Sequence, residues 1–145
     1  MDALRLSTDP AEMDVAAIHA ALGGMYWAQG IPLEVVRRAV KGSMPFGIFD
    51  GSRQVAFARV VTDRATFAYV ADVYVMEEYR GRGLAARLMD AIFAHPDLQG
   101  LRRWLLMTRD AHGLYERYGF ARVPGNDRMM EKVDREVYTR PPTTE

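Results

Sequence analysis

Residues 80–85 have the sequence Arg-Gly-Arg-Gly-Leu-Ala and lie between a predicted strand at 67–75 and a predicted helix at 84–93. This combination of glycine and arginine is typical of a phosphate-binding loop. Glycine removes the Cβ where a phosphate would approach the backbone, and the free amides of a helix's first turn attract an anion. Arg80 and Arg82 can add charge-assisted hydrogen bonds. The segment predicts a cradle for a phosphate-bearing cofactor.

The spacing of Gly81 and Gly83 excludes two other phosphate-binding loops. A dinucleotide-binding turn needs three glycines spaced G-x-G-x-x-G, a Walker loop needs Gly-Lys-Ser/Thr, and neither pattern occurs here. Taken alone, the short segment is also compatible with an ordinary turn that carries two surface arginines. A second motif is needed to decide between the cradle and the turn.

That second motif is a predicted helix at 111–118, where Ala111 is followed by Leu-Tyr-Glu-Arg-Tyr-Gly-Phe at 114–120. The spacing Arg-x-x-Gly-x-Ala at 80–85 resembles the acetyl-CoA loop of the GNAT-type N-acetyltransferase superfamily, and 111–120 resembles its second signature. The resemblance covers about residues 4 to 133 and is most distinctive at 72–120. It implies an enzyme that transfers an acetyl group from acetyl-CoA to a primary amine by direct attack.

The resemblance also implies which residues bind acetyl-CoA. The strand backbone at 73–75 would pair with the pantetheine arm, and residues 81–86 would meet the pyrophosphate. Thr108 stands where many relatives carry an asparagine, and its hydroxyl can still form a hydrogen bond over a shorter reach. The implied cofactor residues are Val73, Tyr74, Val75, Arg80, Gly81, Arg82, Gly83, Leu84, Ala85, Ala86, Thr108 and Ala111.

Tyr115 is the predicted general acid. The leaving thiolate of CoA, whose thiol has a pKa of about 8.5, benefits from a proton donor, and a tyrosine with a pKa of about 10 is protonated at neutral pH. The resemblance places Tyr115 at the position of the family's acid tyrosine, before Gly119. The alternative is that its ring only packs against the sheet. Tyr118 is the weaker candidate for the same role.

Asp72 is the one acidic residue in the apolar strand 67–75, so it needs either a solvent-facing position or a function. The sequence at 72–76 and 79–81 resembles the diamine acetyltransferase branch, in which an adjacent glutamate usually serves as the base. That position is Ala71 here. Asp72 could therefore act as the base, orient the cationic amine, or join a structural hydrogen-bond network.

Aromatic residues are predicted to shape the substrate site. Tyr26 and Trp27 lie between the first two predicted helices, and Phe67 and Tyr69 lie on the strand that leads to Asp72. They could enclose an amine's carbon skeleton or contact its cation, and each could equally pack the helices on the sheet. The expected partner is a small-molecule amine of unspecified identity. The alternatives are a protein N-terminal or lysine acetyltransferase and a non-catalytic CoA-binding sensor.

The composition fits one enzyme-sized domain and disfavours several partners. Lysine plus arginine number 19, as do aspartate plus glutamate, and this balance disfavours nucleic acid and anionic membranes. The absence of cysteine excludes disulfides, zinc-thiolate sites and a cysteine nucleophile. The three histidines lack metal-site spacing, so we expect no metal. No signal peptide or membrane-length apolar run is recognisable, so we expect a cytoplasmic protein.

The pattern of apolar residues predicts a mixed α/β fold. Strands are predicted at 4–6, 46–49, 55–61, 66–75, 103–108, 120–123 and 129–133, and helices at 10–22, 32–41, 84–93 and 111–118. We expect a mostly antiparallel sheet of about six or seven strands, flanked by about four helices. The resemblance implies that the central strands 67–75 and 103–108 splay apart to form a wedge for the cofactor.

The chain is predicted to be a single acyl-CoA N-acyltransferase domain at 1–138, followed by a frayed tail at 139–145 that contains two prolines. Asp110 is the predicted N-cap of the helix at 111–118. Apolar residues near the C-terminus would permit a homodimer if they are exposed.

Overall fold

A five-stranded mixed sheet between two helical layers organises residues 3–141, the residues that the computed structural model describes. The strands are β1 (Leu4–Ser7), β2 (Met44–Asp50), β3 (Arg53–Thr62), β4 (Phe67–Val75) and β5 (Arg103–Leu106). The α-helices are α1 (Val15–Gly23), α2 (Leu33–Lys41), α3 (Leu84–Ala94) and α4 (His112–Glu116). The strands are ordered as in the chain; β1 to β4 pair antiparallel, and β5 pairs parallel with β4.

The predicted α/β class and the four α-helices are confirmed, but the described residues form five strands instead of six or seven. The predicted strands at 120–123 and 129–133 are absent. Between them, Gly125 and Asn126 have φ angles of 72° and 46° and turn the chain, and Met130 beyond them is 96% exposed. A strand pair with no buried face is marginally stable. Within 3–141, β5 is therefore an edge strand and not a central one.

The predicted first helix is interrupted. Asp9 caps a short 3-10 turn, Pro10–Glu12, and α1 begins only after a second cap, Asp14, whose carboxylate accepts the Ala17 N–H at 3.0 Å. The backbone N–H of Asp14 donates to Oε1 of the buried Gln54 in β3, at 2.8 Å. Because this amide bonds to the sheet, it cannot continue the first helical turn.

Each face of the sheet has its own apolar core. The layer of α3 and α4 covers one face, with a core that includes Phe46, Ile48, Val60, Leu88 and Ile92. The layer of α1 and α2 covers the other, with a core that includes Ile18, Leu22, Val36, Phe49 and Phe57. Burial of these side chains stabilises both layers by about 25 cal/mol for each Å² of apolar surface removed from water.

A β-bulge at Asp72 changes the face of the sheet on which the side chains at the end of β4 lie. One residue separates Phe57 from Arg59 in β3, whereas two residues separate their partners Tyr74 and Ala71 in β4. Asp72 has φ 55°, in the left-handed region that is uncommon for residues other than glycine. Even-numbered residues before the bulge pack towards α3, whereas Tyr74 packs towards α1 and α2.

The pairing between β4 and β5 stops before β4 ends. Their pairing runs from Phe67 opposite Arg103 to Val70 opposite Leu106, where β5 ends. From there β4 continues to Val75 with no strand beside this edge anywhere in residues 3–141. We call the space between this free edge and the chain that follows β5 the slot.

The C-terminal residues return to the layer of α1 and α2. Tyr138 packs against that core, and a Cβ built on Gly30 would lie 3.6 Å from Cγ2 of Thr139. The predicted frayed tail therefore begins beside the loop between α1 and α2. Residues 142–145 lie outside the described residues. No helix within 3–141 is long and apolar enough to cross a membrane.

Replacement of Gly47 by alanine should destabilise the fold. A Cβ at this position would lie 3.0 Å from Sδ of Met13, 3.0 Å from Cε2 of Phe49 and 3.2 Å from Nε2 of Gln54. We expect Gly47→Ala to lower the free energy of unfolding in urea by about 1–3 kcal/mol. Gly23→Ala is the control, because open space surrounds Gly23 at the end of α1 and alanine favours helix. Equal losses in both variants would contradict the prediction.

Candidate active site

The loop before α3 presents unpaired backbone amides. Gly81 and Gly83 have φ angles of 80° and 73°, and no atom lies within 4 Å of a Cβ built on either residue. Among the hydrogen bonds within 3–141, none uses an amide of residues 81–86 as donor. The approach to these amides is open, and the dipole of α3 adds a partial positive charge. The loop can therefore bind an anion, and we call residues 80–86 the cradle.

Two arginines of the cradle have no carboxylate partner in the described part of the chain. Nε of Arg80 donates to the carbonyl of Val75 at 3.1 Å, which joins the cradle to the end of β4. The guanidinium of Arg82 lies 4.9 Å from the ring centroid of Tyr79, whose hydroxyl donates to Asp50 at 2.6 Å. Because no acidic side chain neutralises them, both cations add to the attraction of an anion.

The backbone of β4, rather than its side chains, is available at the slot. Val73 and Val75 pack towards α3, and Tyr74 packs towards α1 and α2. Burial raises the pKa of the Tyr74 phenol, so this side chain is neutral. A ligand in the slot would therefore meet the free edge of this segment.

Tyr115 has a buried ring and an unused hydroxyl. It is 8% exposed, packs in the same core as Leu84 at the start of α3, and donates no hydrogen bond to any residue that the structure describes. Burial, and secondarily the charge of Asp110, raise the pKa of Tyr115. The phenol is therefore protonated at neutral pH, as a proton donor must be.

Tyr118, the weaker candidate, is bound to α3. Its hydroxyl lies 3.0 Å from the carbonyl of Ala86 and 2.7 Å from Oδ1 of Asp90, and its ring stacks on Phe93 with centroids 5.6 Å apart. Burial and the hydrogen bond to Asp90 raise the pKa of Tyr118. These contacts favour a structural role for Tyr118, and of the two candidates only Tyr115 has a hydroxyl without a hydrogen-bond partner in residues 3–141.

Both carboxylate oxygens of Asp72 are occupied. Nε of Arg59 donates to Oδ2 at 2.6 Å, and Nε1 of Trp27 donates to Oδ1 at 2.9 Å. Arg59 also donates to Oγ of Ser43 at 3.0 Å. The side chains of Asp72 and Arg59 are only 12% and 19% exposed. Of the three roles left open for Asp72, these contacts favour the structural network.

The predicted aromatics of the substrate site, Tyr26 and Trp27, lie in the loop between α1 and α2, residues 24–32, which we call the α1–α2 loop. Their rings meet edge to face with centroids 5.1 Å apart. The guanidinium of Arg109, on the chain that follows β5, lies 3.9 Å from the ring centroid of Tyr26. The α1–α2 loop thus contacts the chain on the β5 side of the slot.

The two predicted substrate residues of β4 occupy different places. Burial raises the pKa of Tyr69, and the charge of Asp72, three residues further along β4, raises it as well. Phe67 lies opposite Arg103 at the other end of the paired stretch. Within residues 3–141, neither Tyr69 nor Phe67 has a ring contact with Tyr26 or Trp27.

The start of α4 differs from the prediction. The hydroxyl of Thr108 accepts the N–H of Ala111 at 3.0 Å, and Ala111 itself holds the N-cap position without a side-chain hydrogen bond. The predicted cap at Asp110 is therefore wrong, because the threonine hydroxyl reaches the first free amide instead. The Thr108 hydroxyl keeps its own proton, which a ligand could accept.

A cavity of about 340 Å³ lies along the outer edge of β5. Its lining comes from β5, α4 and residues 120–129 and includes Thr108, His112 and Tyr115, but no residue of the cradle or of β4. Two of the predicted site residues, Thr108 and Tyr115, thus line a space that also borders the segment predicted to form strands. No group of three or more His, Asp or Glu residues within 3–141 could hold a metal ion.

Three residues at the site were missed by sequence reasoning: Arg59, Ser43 and Arg109. The contact of Arg59 with Asp72 depends on the bulged register of β3 and β4, which no local pattern reveals. A signal did exist for Arg109, because it directly follows the strand predicted at 103–108, at the end where strand and cofactor were expected to meet.

Known proteins are similar to this chain in sequence and in fold. The sequence model of a protein family, the acetyltransferase (GNAT) domain, matches residues 43–122. A crystal structure of a protein assigned to the GNAT family, from Xanthomonas campestris pv. campestris, is 50% identical, covers 97% of this chain and 99% of that chain, and superposes with a TM-score of 0.92. The chain belongs to the GNAT family of acetyltransferases.

Two further proteins are similar to this GNAT protein. A Gibberella zeae protein assigned as an acetyltransferase is 32% identical over 133 residues, which are 76% of this chain and 74% of that protein. A Clostridium acetobutylicum structure with acetyl-CoA is 16% identical, covers 90% of this chain and 94% of that chain, and has a TM-score of 0.65. The second likeness shows a common fold. GNAT acetyltransferases generally depend on acetyl-CoA.

The ion pair between Arg59 and Asp72 should contribute to stability. A double-mutant cycle of Arg59→Gln and Asp72→Asn, with stability measured in urea, should give a coupling energy of about 1–3 kcal/mol, because both groups are largely shielded from water. Asparagine is chosen because it tolerates the left-handed backbone at this position. The exposed pair Arg5 and Glu12, 2.7 Å apart, is the control and should show no measurable coupling. Similar coupling in both pairs would contradict the prediction.

Proposed function

We propose that this GNAT protein transfers the acetyl group of acetyl-CoA to a primary amine of a small molecule by direct attack. The observation that carries the proposal is the cradle. Its amides at 81–86 have no acceptor in the described structure, its two glycines leave the approach open, and Arg80 and Arg82 lack carboxylate partners. These features fit the diphosphate of CoA.

The slot continues from the cradle. Arg80 contacts the carbonyl of Val75, so an anion in the cradle would lie beside the end of the free edge of β4. In the proposal the pantetheine arm follows that edge, because unpaired strand amides and carbonyls can bind an extended chain. When bound, acetyl-CoA supplies the acetyl group as an activated thioester. The structure with acetyl-CoA from Clostridium acetobutylicum supports the choice of ligand for this fold.

Tyr115 would donate the proton that the departing thiolate accepts. Its hydroxyl is unused within 3–141, and burial keeps it protonated. We assign Asp72 a positioning role, since its carboxylate already accepts hydrogen bonds from Trp27 and Arg59. The proton of the attacking amine would then leave through water. A primary amine has a pKa near ~10.4 and must lose a proton before it attacks.

A second candidate function is a CoA-binding sensor without turnover. One observation favours it: Ala71 occupies the position of the expected base, and the neighbouring Asp72 has no free carboxylate oxygen. Release of free thiol from acetyl-CoA after addition of an amine separates the enzyme from the sensor. Peptide acceptors in the same assay test the protein N-terminal and lysine alternatives.

The homodimer stays a prediction, which sedimentation can test. Several apolar side chains near the C-terminus are exposed, as it requires. They are Val123, Met129, Met130, Val133 and Val137.

Gly83→Ala should weaken CoA binding. It should lower the stability of the fold only by the cost of backbone strain at this position. The new Cβ would enter the open space above the cradle, and the φ angle of 73° would be strained. We expect the dissociation constant of CoA, measured by calorimetry, to rise about tenfold or more. Gly100→Ala is the matched control, because Gly100 has the same φ angle, open space around it and no place in the cradle. Equal CoA affinity in the two variants would refute the cradle.

Tyr115→Phe should reduce kcat with acetyl-CoA and an amine by about a hundredfold or more, since it removes the proton donor. CoA affinity should change little, because the ring remains. In the wild type the raised pKa of Tyr115 means that the acid stays protonated from neutral pH to pH 9, so its titration should not lower the rate over that range. Tyr118→Phe is the control and should retain kcat. Full activity of Tyr115→Phe would assign the acid role elsewhere.

A further inference from the structure

A ring of contacts surrounds the end of the slot at which the pairing of β4 and β5 stops. Asp72 in β4 accepts a hydrogen bond from Trp27 at 2.9 Å, Trp27 meets the ring of Tyr26 at 5.1 Å, and Tyr26 lies under the guanidinium of Arg109 at 3.9 Å. Arg109 belongs to the chain that follows β5, and β5 pairs with β4 where the slot begins. The α1–α2 loop therefore bridges the two sides of the slot, and Arg109 lies on its rim.

Arg109 carries an uncompensated charge at this rim. It forms no ion pair with a carboxylate in the described part of the chain, and neighbouring Asp110 does not come within ion-pair distance of it. The other charged groups of the ring, Asp72 and Arg59, neutralise each other. At this rim, the charge of Arg109 is therefore not balanced by an ion pair within residues 3–141.

The stacking on Tyr26 also orients the guanidinium. A guanidinium this close over a ring is attracted to the face of the ring, and a guanidinium that stacks on a ring leaves the N–H groups along its edge available. That edge matches the two oxygens of a carboxylate, which arginine binds in a bidentate manner. Tyr26 thus acts as a positioning residue for Arg109.

We propose that the acceptor amine carries a carboxylate, as an amino acid does, and that Arg109 binds this carboxylate at the rim of the slot. The inference rests on the proposed function and specifies its substrate class. A simple amine is a cation in solution and would be repelled by Arg109. An amino acid could place its carboxylate on Arg109 while its amino group enters the slot.

The test compares amino acids with their amides as acceptors. Thiol release is measured for a panel of α- and ω-amino acids, each paired with the amide that lacks the negative charge. In the wild type we expect kcat/KM of the best acid to exceed that of its amide by about tenfold or more. The ratio should fall to near one in Arg109→Gln and stay intermediate in Arg109→Lys, with the change mostly in KM.

Control variants separate recognition from general damage. Arg102→Gln removes an exposed arginine before the opposite end of β5 and should leave the ratio of acid to amide unchanged. Tyr26→Phe keeps the ring under Arg109 and should retain the ratio, whereas Tyr26→Ala should lower it. An unchanged ratio in Arg109→Gln would overturn the inference. A preference for O-phosphoethanolamine over every amino acid would also overturn it.

Calorimetry separates failure of the inference from failure of the proposed function. The protein, saturated with CoA, is titrated with the best acid of the panel and with its amide. Tighter binding of the acid than of its amide, with this difference lost in Arg109→Gln, would support the inference even if no turnover were measured. The absence of turnover would in that case refute acetyl transfer and leave the inference standing. Turnover of acids and amides at equal rates would overturn the inference and leave the proposed function standing. No preference in binding or in turnover would overturn the inference as well.

Discussion

The separation of β4 from β5 is the constraint on which the rest of the site depends. Parallel pairing stops at Val70 and Leu106, so the backbone of β4 as far as Val75 has amides and carbonyls without a strand partner on that edge. Such groups need another hydrogen-bond partner, which water or an extended ligand can supply. The cradle joins one end of this edge, and the contacts of Asp72 and Trp27 lie at the other.

The bulge at Asp72 connects the slot to the helical layer above it. An inserted residue with a left-handed backbone is unfavourable by itself, but here it turns the carboxylate towards both Arg59 and Trp27. These two hydrogen bonds offset the strain, and the one from Trp27 joins the α1–α2 loop to β4. The same bonds occupy the carboxylate. Asp72 suggests a catalytic base by its isolation in an apolar strand, but its contacts are better explained as a support for the α1–α2 loop.

The charge of the molecule is balanced overall but uneven at the site. Equal numbers of acidic and basic residues conceal a local difference at the site, where Arg80, Arg82 and Arg109 have no carboxylate partner within residues 3–141. The first two belong to the cradle, and the third lies across the slot on Tyr26. Because surface charges are screened over about 8 Å at physiological salt, such local placement matters more than net charge. The two proposals use this placement, with the diphosphate of CoA at one end of the slot and a carboxylate at the other.

The sequence by itself determined the cradle, the order of the main elements and the family likeness. Glycine spacing, the start of α3 and the apolar alternation of the strands are local properties, so they can be recognised within a few residues. Only the tertiary structure decided that the segments at 120–123 and 129–133 form no strands, that α1 starts at a second cap, and that Asp72 pairs with Arg59. Trp27 and Asp72 are 45 residues apart, and their contact requires the bulged register of β4 together with the packing of α1 and α2 on the sheet. Contacts of this kind arise from the arrangement of whole elements in space, which no short stretch of sequence specifies.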